Sequence, residues 1–389
     1  MKSRYLVVGA GFGGAVTARA LAQNLGASVL VIDERSHTAG NCHTERDPAT
    51  NVMVHRYGPH IFHTSRQDVW DYVRSFADFG PYTNRVKAHT PRGVYGLPLN
   101  LLTINQFFGR SFRPREAAAF LESLGDKSIK DPQNFEEQAL RFIGRELYEN
   151  FFYGYTKKQW GCEPTDLPAS ILKRLPVRFN YDDNYYGSIF QGIPRDGYTA
   201  LIDRILDYEG IEVKVSTRFT REMKDEFAHV FFTGPIDAYF GFAHGRLGYR
   251  TVFWDQQEET GDFLGNAVIN YTGSDVPYTR IHEHKHFAPW EQHEKTLVFT
   301  EYSKATEGND IPYYPIRLER DKAMLAQYAQ AAGSEEGVSF LGRLATYRYL
   351  DMHQVIGESL DFSAEFCSAT TSGKDTRAGF SNVEKLAPA

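Results

Sequence analysis

The hydrophobic positions near the N-terminus predict a strand–helix–strand unit. Tyr5–Val8 is a short apolar run, an alanine-rich stretch continues to about Leu25, and Val29–Ile32 is a second apolar run. Glycines stand between the first run and the helix, from Gly9 to Gly14. A strand, a helix and a strand in so few residues indicate a βαβ unit with right-handed parallel pairing.

Farther along the chain, the pattern changes to helices and then to strands. Asn134 followed by Glu137 is typical of a helix start, and apolar residues recur after it at helical spacing as far as Phe151. Beyond residue 210, short β-branched and aromatic runs predict strands. We expect them to be antiparallel, because no helical crossover separates many of them. These runs are Val213–Val215, Tyr249–Phe253 and Leu297–Thr300.

Composition narrows the class of protein. With 389 residues, 42% hydrophobic and 24% charged, the chain predicts a globular protein of two or three domains. A net charge of −6 disfavours nucleic acid or an anionic membrane as partner. No apolar run is long enough to span a bilayer, and Tyr5–Ala10 is too short for a signal peptide. Cys42, Cys162 and Cys367 are widely spaced and odd in number, which favours the reducing cytoplasm.

The glycine turn predicts a dinucleotide site. Gly9-Ala-Gly11-Phe-Gly-Gly14 matches G-x-G-x-x-G, which permits a tight turn, a close approach to pyrophosphate and close helix–strand packing. Asp33 ends the second strand, where an acid can accept a hydrogen bond from a ribose hydroxyl. Glu34 follows it directly, so the choice between the two carboxylates stays open, although the position at the strand end favours Asp33.

The residues after this acid favour FAD over NAD. Arg35-Ser-His-Thr-Ala-Gly40-Asn41 resembles the R-x-x-x-G-G-x stretch of FAD proteins that bind two dinucleotides. Ala39 replaces the first glycine of that pair. The replacement matters only if position 39 requires a positive φ.

Six further motifs, in order along the chain, give a more specific resemblance. Together they resemble bacterial UDP-galactopyranose mutase from residue 4 to about residue 360, whereas the tail from about Ser363 matches no motif. The motifs are Gly58-Pro-His-Ile-Phe-His63, Gly154-Tyr-Thr-Lys-Lys-Gln-Trp160, Leu172-Lys-Arg-Leu-Pro-Val-Arg-Phe179, Val276-Pro-Tyr-Thr-Arg280, Pro312-Tyr-Tyr-Pro315 and Gly342-Arg-Leu-Ala-Thr-Tyr-Arg-Tyr-Leu-Asp351.

The resemblance implies an α/β fold with three parts. A discontinuous Rossmann-like FAD-binding domain is expected over 1–78, 191–242 and 317–389. A helical bundle with a mobile lid is expected over 100–175, and an antiparallel sheet domain for substrate over 79–99, 176–190 and 243–316. Such enzymes are isomerases that interconvert UDP-galactopyranose and UDP-galactofuranose. Reduced FAD N5 attacks the anomeric carbon, with no net redox change. A homodimer is the default assembly.

The resemblance also implies which residues meet the substrate. Arg174 and Arg280 match the two arginines directed at the diphosphate, whose leaving charge they stabilise as guanidinium forks. Tyrosine hydroxyls donate to the same phosphates, while aromatic rings and amides contact the base and sugar. The expected substrate residues are Asn84, Phe151, Phe152, Tyr155, Trp160, Arg174, Tyr185, Asn270, Arg280, Tyr314 and Tyr349. For Phe151 and Phe152, core packing is an equally good explanation, and Trp160 and Arg174 bracket the expected lid at Gly161–Pro168.

A histidine loop is expected beside the flavin ring. His63 is the preferred candidate for stabilising reduced flavin, and it completes the catalytic set with Arg174 and Arg280. No histidine spacing suggests a metal site. The residues expected to hold the cofactor are Gly9, Gly11, Phe12, Gly13, Gly14, Asp33, Glu34, Asn41, His60, Ile61, Arg343, Asp351 and Met352, with a helix start at about His353.

Two other functions share part of this pattern. An FAD-dependent oxidoreductase, such as an amine oxidase, would have the same N-terminal unit but would not need an arginine pair for a diphosphate. A non-catalytic sensor of FAD or sugar nucleotide would bind UDP without turnover.

Overall fold

The computed structural model describes residues 4–174, 177–316, 319–378 and 380–386, apart from the side chains of Ser170, Lys173, Arg174, Glu319 and Arg320. The strands are β1 Arg4–Val8, β2 Ser28–Ile32, β3 Thr44–Arg46, β4 Met53–His55, β5 Phe62–Thr64, β6 Phe79–Gly80, β7 Val86–Thr90, β8 Gly93–Leu97, β9 Phe190–Pro194, β10 Ile211–Lys214, β11 His229–Phe232, β12 Tyr249–Thr260, β13 Val268–Tyr271, β14 Arg280–Glu283, β15 Lys295–Ala305, β16 Tyr314–Pro315 and β17 Val338–Phe340. The α-helices are α1 Phe12–Leu25, α2 Gln67–Arg74, α3 Leu101–Phe108, α4 Pro114–Leu124, α5 Phe135–Leu147, α6 Gly154–Trp160, α7 Gly197–Leu206, α8 Ile236–Tyr239, α9 Glu319–Gly333, α10 Gly342–Ala345 and α11 Met352–Thr371.

A five-stranded parallel sheet with its covering helices forms the first part of the structure. Its strand order is β10-β2-β1-β11-β17. Alternate residues of β1 point to opposite faces: Tyr5 and Val7 pack with α1, α7 and α11, while Leu6 and Val8 pack with α8 and α9. Because both faces are covered, strands β1, β2, β11 and β17 are largely buried and rich in apolar residues, whereas the edge strand β10 is mostly exposed. The result is a three-layer α/β arrangement of Rossmann type, which confirms the predicted βαβ unit.

The antiparallel prediction is wrong for Val213–Val215. Strand β10, which contains most of this run, pairs parallel with β2, and Val213 lies opposite Val31. Helix α7 lies between strand β9 and β10 and packs on α1. It therefore supplies the crossover that a parallel pair requires and that the short-run pattern did not reveal.

A seven-stranded sheet carries the remaining long strands. Its order is β16-β12-β15-β14-β13-β7-β8. Strands β12 and β15 pair antiparallel over their whole lengths, which confirms the prediction for Tyr249–Phe253 and Leu297–Thr300. The pair β13–β7 is parallel, so the sheet is mixed. The predicted fold class, a Rossmann-like unit with inserted helices and a largely antiparallel sheet, is confirmed.

Helices α3 to α6 lie between β8 and β9 in sequence. The Asn134 side chain accepts a hydrogen bond from the Glu137 N–H, so the predicted N-cap of α5 is confirmed. The helix is interrupted at Gly144, where φ is 77°, and a π-helical segment follows over Tyr148–Tyr153. Ile143, Leu147 and Phe151 are nevertheless buried in one cluster. The apolar stripe was therefore predicted correctly, but the helix is not continuous.

The segment after Ser363 belongs to the part of the structure that contains the five-stranded sheet. Helix α11 continues to Thr371 and packs along α1. Phe380 then packs edge-on against Phe366, and the Phe340 N–H donates to the Ser381 carbonyl. No helix among the described residues is both long and apolar enough to cross a bilayer.

Residue 39 has a positive φ, so the replacement of glycine by alanine at this position affects the backbone energy. Ala39 has a φ of 71° and is buried, and its N–H donates to the Ala10 carbonyl at 2.9 Å. This turn carries the chain past the glycine turn, since the Cα of Gly40 would lie 3.9 Å from a Cβ on Gly11. A side chain in the left-handed region costs about 1–2 kcal/mol.

We therefore expect substitutions at Ala39 to follow backbone strain. Ala39→Gly should leave the free energy of unfolding within about 1 kcal/mol of the parent, because relief of strain offsets the lost methyl burial and the greater chain entropy. Ala39→Val should lower it by more than about 2 kcal/mol, because a β-branched residue tolerates positive φ poorly. Urea unfolding of both variants tests this, and equal stability of the valine and glycine variants contradicts it.

Candidate active site

The glycine turn has the geometry that a pyrophosphate requires. Gly9 has a φ of 103°, and a Cβ there would lie 2.0 Å from Thr233 Oγ1. A Cβ on Gly14 would lie 1.9 Å from the Gly9 carbonyl oxygen, so helix α1 can pack this closely only with glycine. Gly11 is the N-cap of α1 and has no side-chain cap. The first N–H groups of a 14-residue helix are therefore available to an anion.

The two carboxylates at the end of β2 have different surroundings. Asp33 is buried; its Oδ2 accepts from the Ala10 N–H at 2.8 Å and its Oδ1 from the Arg35 N–H at 2.9 Å. Asp33 therefore sits against the glycine turn, and each oxygen keeps a second lone pair. Glu34 is exposed and lies 3.9 Å from Arg218. This placement favours Asp33 over Glu34 as the ribose acceptor.

A buried cation faces the same turn. Arg35 Nη2 donates to Asn41 Oδ1 at 2.8 Å, and its Nη1 is buried without a hydrogen-bond partner among the described residues. A buried guanidinium nitrogen without a partner is costly unless a ligand satisfies it. The open cradle at Gly11 and this cation together fit a dinucleotide pyrophosphate. Phe12 and Gly13 follow on α1, and the Phe12 ring packs in the core against Tyr198.

A second helix N-terminus approaches from the C-terminal part of the chain. Asp351 is the N-cap of the 20-residue helix α11 and forms a reciprocal capping box with Gln354, so the helix begins at Met352, one residue before the predicted start at about His353. Arg343 donates from Nε and Nη2 to the Leu350 carbonyl at 2.9 and 2.6 Å. Burial raises the pKa of the Cys42 thiol to about 12, although Arg343 and Arg35 oppose it. Arg343 is therefore close to the glycine-turn side of the site.

The predicted histidine loop contains two neutral imidazoles. Burial, reinforced by Arg343, lowers the pKa of His60 to about 4, and its Nδ1 lies 2.7 Å from the Gly58 carbonyl. Burial also lowers the pKa of His63 to about 4, although Asp351 opposes it. His63 Nδ1 lies 2.9 Å from Ser188 Oγ. At neutral pH these side chains offer N–H groups and lone pairs, without positive charge. Ile61, between them, is buried in the core.

Arg280 lies in the central part of the seven-stranded sheet with a buried acid beside it. Its Nε donates to Glu301 Oε1 at 2.8 Å, and its Nη2 lies 2.8 Å from the same oxygen. Glu301 is 1% exposed, and it also accepts from Thr279 Oγ1 at 2.8 Å. Burial lowers the pKa of Arg280, but Glu301 outweighs burial and holds the pKa well above its ordinary value. Arg280 is therefore a permanent cation with a fixed direction.

Four predicted tyrosines surround this cation. Burial raises the pKa of Tyr155, Tyr185 and Tyr349, and Arg280 opposes the rise in each. The Tyr314 and Tyr349 rings stack with centroids 5.5 Å apart. Because the phenols stay protonated, they can act as hydrogen-bond donors to an anion bound at Arg280. The structure thus brings Arg280 and the four tyrosines together.

Two buried amides complete the polar part of the cleft. Asn270 lies directly opposite Arg280 in the β13–β14 pair, and Arg280 lies opposite Glu301 in the next pair. Asn84 is joined to Tyr185 through the hydrogen bond from the Tyr185 N–H to the Asn84 carbonyl at 2.8 Å. The Oδ1 atoms of both asparagines are buried, and neither has a partner within the described parts of the chain. Both are therefore positioned to accept from hydroxyl groups of a ligand.

An aromatic cavity adjoins these residues. Its volume is about 100 Å³, and it is lined by Leu97, Pro98, Leu99, Phe135, Phe151, Phe152, Tyr155, Thr156, Trp160, Ile171, Tyr185 and Asn270. Phe151 and Phe152 also belong to the hydrophobic core of the helical segment, so core packing is confirmed for both rings, and contact with substrate stays a prediction. A larger cavity of about 660 Å³ lies between α4 and α5, and it is lined by none of the predicted site residues. The smaller cavity is therefore the relevant one.

The expected lid begins at the C-cap of α6. Gly161 follows Trp160 with a φ of 68°, and residues Pro164–Asp166 form a short 3-10 helix. The Phe135 N–H donates to the Leu167 carbonyl at 2.9 Å, which joins the end of this segment to α5. The predicted catalytic side chain of Arg174 lies outside the described part of the structure.

Sequence reasoning missed three residues that the structure adds. Glu301 stands in no motif; only the cross-strand register places it beside Arg280. Ser188 and His353 flank His63, and donor atoms of His63, Asp351 and His353 lie within 4.8 Å of one another. The capping signal at Asp351 could have indicated His353, whereas the local sequence gives no signal for Ser188 or Glu301.

Fold and site define a class of protein: an α/β protein with a Rossmann-type dinucleotide site beside a cationic, phenol-lined cleft. A family model described as UDP-galactopyranose mutase matches residues 150–349, and one described as NAD(P)-binding Rossmann-like domain matches residues 7–76. The chain belongs to the UDP-galactopyranose mutase family, a family of isomerases.

Two relatives and one solved structure are similar to this chain over most of its length. The chain is 54% identical over 370 residues to the probable UDP-galactopyranose mutase of Klebsiella pneumoniae, covering 95% of this chain and 96% of the relative. It is 48% identical over 366 residues to the dTDP-fucopyranose mutase of Escherichia coli, covering 92% and 97%. A crystal structure of reduced UDP-galactopyranose mutase matches with a TM-score of 0.72 at 14% identity, over 99% of this chain and 98% of that chain. This last likeness establishes the fold.

The buried histidines predict loss of stability in acid. Burial lowers the pKa of His60 and His63 to about 4 and that of His229 and His284 to about 3. The unfolded chain, with ordinary values near 6.5, therefore binds more protons between about pH 6.5 and 4. This stabilisation is complete above about pH 6.5 and is lost as the pH falls through this window.

We expect the midpoint of urea unfolding to fall steadily from pH 7 to pH 5. A His229→Gln variant, which removes one depressed group, should show a shallower pH dependence than the parent. A midpoint that stays constant over this range contradicts the assignment of neutral buried imidazoles.

Proposed function

We propose that this chain interconverts UDP-galactopyranose and UDP-galactofuranose and that it requires reduced FAD. The observation that supports this most directly is the partly buried Arg280, which is held by the buried Glu301 and lies close to phenols whose pKa values burial raises. A charged, preorganised donor set of this kind suits a diphosphate leaving group. Family membership supplies the reaction class.

The residues proposed to hold FAD lie around the two helix N-termini. The N–H groups after Gly11 and the unpartnered Arg35 Nη1 suit the pyrophosphate, and Asp33 suits the ribose. Arg343 and the start of α11 at Met352 lie on the side of the flavin ring. When bound and reduced, the flavin would supply a nucleophilic nitrogen, N5, for the anomeric carbon.

The protein's own part in the reaction is electrostatic. As the bond from the anomeric carbon to the diphosphate weakens, negative charge grows on the phosphate oxygens. Arg280 and the hydroxyls of Tyr155, Tyr185, Tyr314 and Tyr349 can donate to these oxygens without reorganising, because Glu301 and burial already fix them. Asn84 and Asn270 would accept from sugar or ribose hydroxyls.

Neutral histidines suit the flavin side of the cleft. With a pKa of about 4, His63 carries no charge that would compete with Arg280 for the diphosphate. Its ring lies close to Asp351 and His353, and its Nδ1 lies 2.9 Å from Ser188 Oγ. We assign His63 the role of orienting the reduced flavin through a hydrogen bond.

The second arginine and the lid complete the proposal. We assign Arg174 to the diphosphate together with Arg280, delivered by closure of the Gly161–Pro168 segment, with Trp160 at the hinge. Closure would exclude water from the cleft. In this arrangement 1–78, 191–242 and 317–389 form the FAD domain, 100–175 the helical domain, and 79–99, 176–190 and 243–316 the substrate sheet.

We also propose a cytoplasmic homodimer. Three free cysteines, none in a disulfide among the described residues, suit a reducing compartment. Closed two-fold symmetry is the commonest assembly of soluble enzymes.

A second candidate substrate is dTDP-fucopyranose, because a relative of that name is 48% identical over 92% of this chain. Both substrates present a diphosphate to Arg280, and they differ in the base, the ribose 2′-hydroxyl and the sugar 6-hydroxyl. The test is to incubate dithionite-reduced protein with each sugar nucleotide and to separate pyranose from furanose products by chromatography. We expect furanose from UDP-galactopyranose, at a kcat/KM at least about tenfold above that for dTDP-fucopyranose.

Control reactions separate the proposal from its rivals. Oxidised protein should give no product, and no NADPH should be consumed in proportion to product. Net oxidation of the sugar would indicate an oxidoreductase, and tight UDP binding without turnover would indicate a sensor. A preference for dTDP-fucopyranose would replace the substrate and keep the reaction class.

We expect Arg280→Ala to lower kcat by about two to three orders of magnitude, because it removes a preorganised charge from the leaving group. The variant should keep its yellow colour, since Arg280 is far in sequence from the dinucleotide turn and belongs to the other sheet. The matched control is Arg92→Ala, which removes an exposed arginine paired with Glu146. Equal turnover of the Arg280 variant and the control would falsify the role of Arg280.

A further inference from the structure

A histidine lies buried beside the ion pair that fixes Arg280. His282 is on β14 two residues after Arg280, so both side chains project from the same face of the sheet. Its side chain is 0% exposed, and its Nε2 lies 3.5 Å from Glu301 Oε2. The two groups are in contact, but the contact is not a hydrogen bond, and neither ring nitrogen has a hydrogen-bond partner within the described chain.

Burying the polar ring of His282 at this position lowers the stability of the fold. A buried polar group without a hydrogen bond destabilises the fold, whereas a leucine of similar size would bury only carbon. Burial, reinforced by Arg280, lowers the pKa of His282 well below its ordinary value, so the ring is neutral. A neutral imidazole can still present an N–H to a carboxylate. The carboxylate it faces is the one that aims Arg280.

The two oxygens of Glu301 have different partners. Oε1 meets Arg280 Nε and Nη2, both at 2.8 Å, and Thr279 Oγ1, also at 2.8 Å. Oε2 faces His282. If the carboxylate turned, it could form a two-oxygen fork with Nε and Nη2 and draw the guanidinium toward the sheet. An imidazole N–H that stands beside Oε2 would oppose that turn and would leave the other guanidinium donors directed at the cleft.

We propose that His282 is a positioning residue, which holds Glu301 Oε2 and thereby sets the direction in which Arg280 meets the diphosphate; this rests on the proposed function.

The test compares two buried histidines of the same segment. His284 is also fully buried, but its Nδ1 accepts from the His55 N–H and its ring packs on Phe299, without contact to Glu301. We expect His282→Leu to weaken UDP binding by about tenfold and to lower kcat, while His284→Leu stays within about twofold of the parent in both. His282→Gln should recover most of the affinity, because its amide can donate to Oε2.

UDP affinity is measured by calorimetry on oxidised, FAD-loaded protein, and kcat on the reduced form. If His282→Leu does not fold, His282→Asn replaces it, since its shorter amide cannot reach Oε2 and should show the same loss. In an Arg280→Ala background, His282→Leu should cause no further loss of UDP affinity, because its effect passes through Arg280.

Three results would overturn the proposal. They are an unchanged UDP affinity in His282→Leu or His282→Asn, an equal loss in His284→Leu, and an undiminished loss in the Arg280→Ala background. A parent protein that binds UDP but converts no sugar nucleotide refutes the proposed function instead. The affinity comparison still decides the role of His282 in that case.

Discussion

The ion pair between the partly buried Arg280 and the buried Glu301 is the interaction on which the site depends. Removing both charges from water costs several kcal/mol per ion, and only short, well-aligned contacts compensate for that cost. Here the sheet supplies the alignment, because Arg280 lies directly between Asn270 and Glu301 on three neighbouring strands. The register that pairs β13, β14 and β15 therefore also places an amide, a cation and its counter-ion in one row facing the cleft.

The proposed catalytic role of this row depends on the elements that carry the dinucleotide turn. The N-termini of α1 and α11 both carry free or capped N–H groups, and Arg35 and Arg343 approach Cys42 from the two sides. Positive potential is thus concentrated around a dinucleotide turn and, separately, around Arg280. The chain as a whole carries a net charge of −6. The positive charge is therefore concentrated locally, and the protein as a whole does not attract anions.

The sequence predicted what local chemistry determines. The glycine turn, the cap at Asn134 and the helix start near His353 each depend on residues within a few positions, and the structure has all three. Pairings between distant segments could not be predicted in this way. Strand β10 is parallel because α7 supplies a crossover, and Glu301 meets Arg280 only through strand register.

Backbone conformation was a second limit on prediction. Ala39 adopts a positive φ although alanine does not favour it, because the chain must pass close to Gly11. Gly144 breaks α5 without disturbing the apolar stripe. In both cases tertiary packing sets the backbone conformation, and hydrophobic periodicity alone carries no sign of it. Motif resemblance identified most of the cleft residues, since a motif retains long-range information that periodicity lacks.

The chemistry of the cleft explains why two nucleotide sugars are candidate substrates. Arg280 and the tyrosines are proposed to bind a diphosphate, which UDP- and dTDP-sugars share. The cavity of about 100 Å³ is mainly aromatic and aliphatic, and a hydrophobic wall distinguishes one methyl group by only about 1–3 kcal/mol. Stronger discrimination needs a buried polar group that one ligand satisfies and the other leaves unpaired. Asn84 and Asn270 have such unpartnered oxygens, so selection between a hydroxylated and a deoxygenated ligand rests on them more than on the aromatic wall.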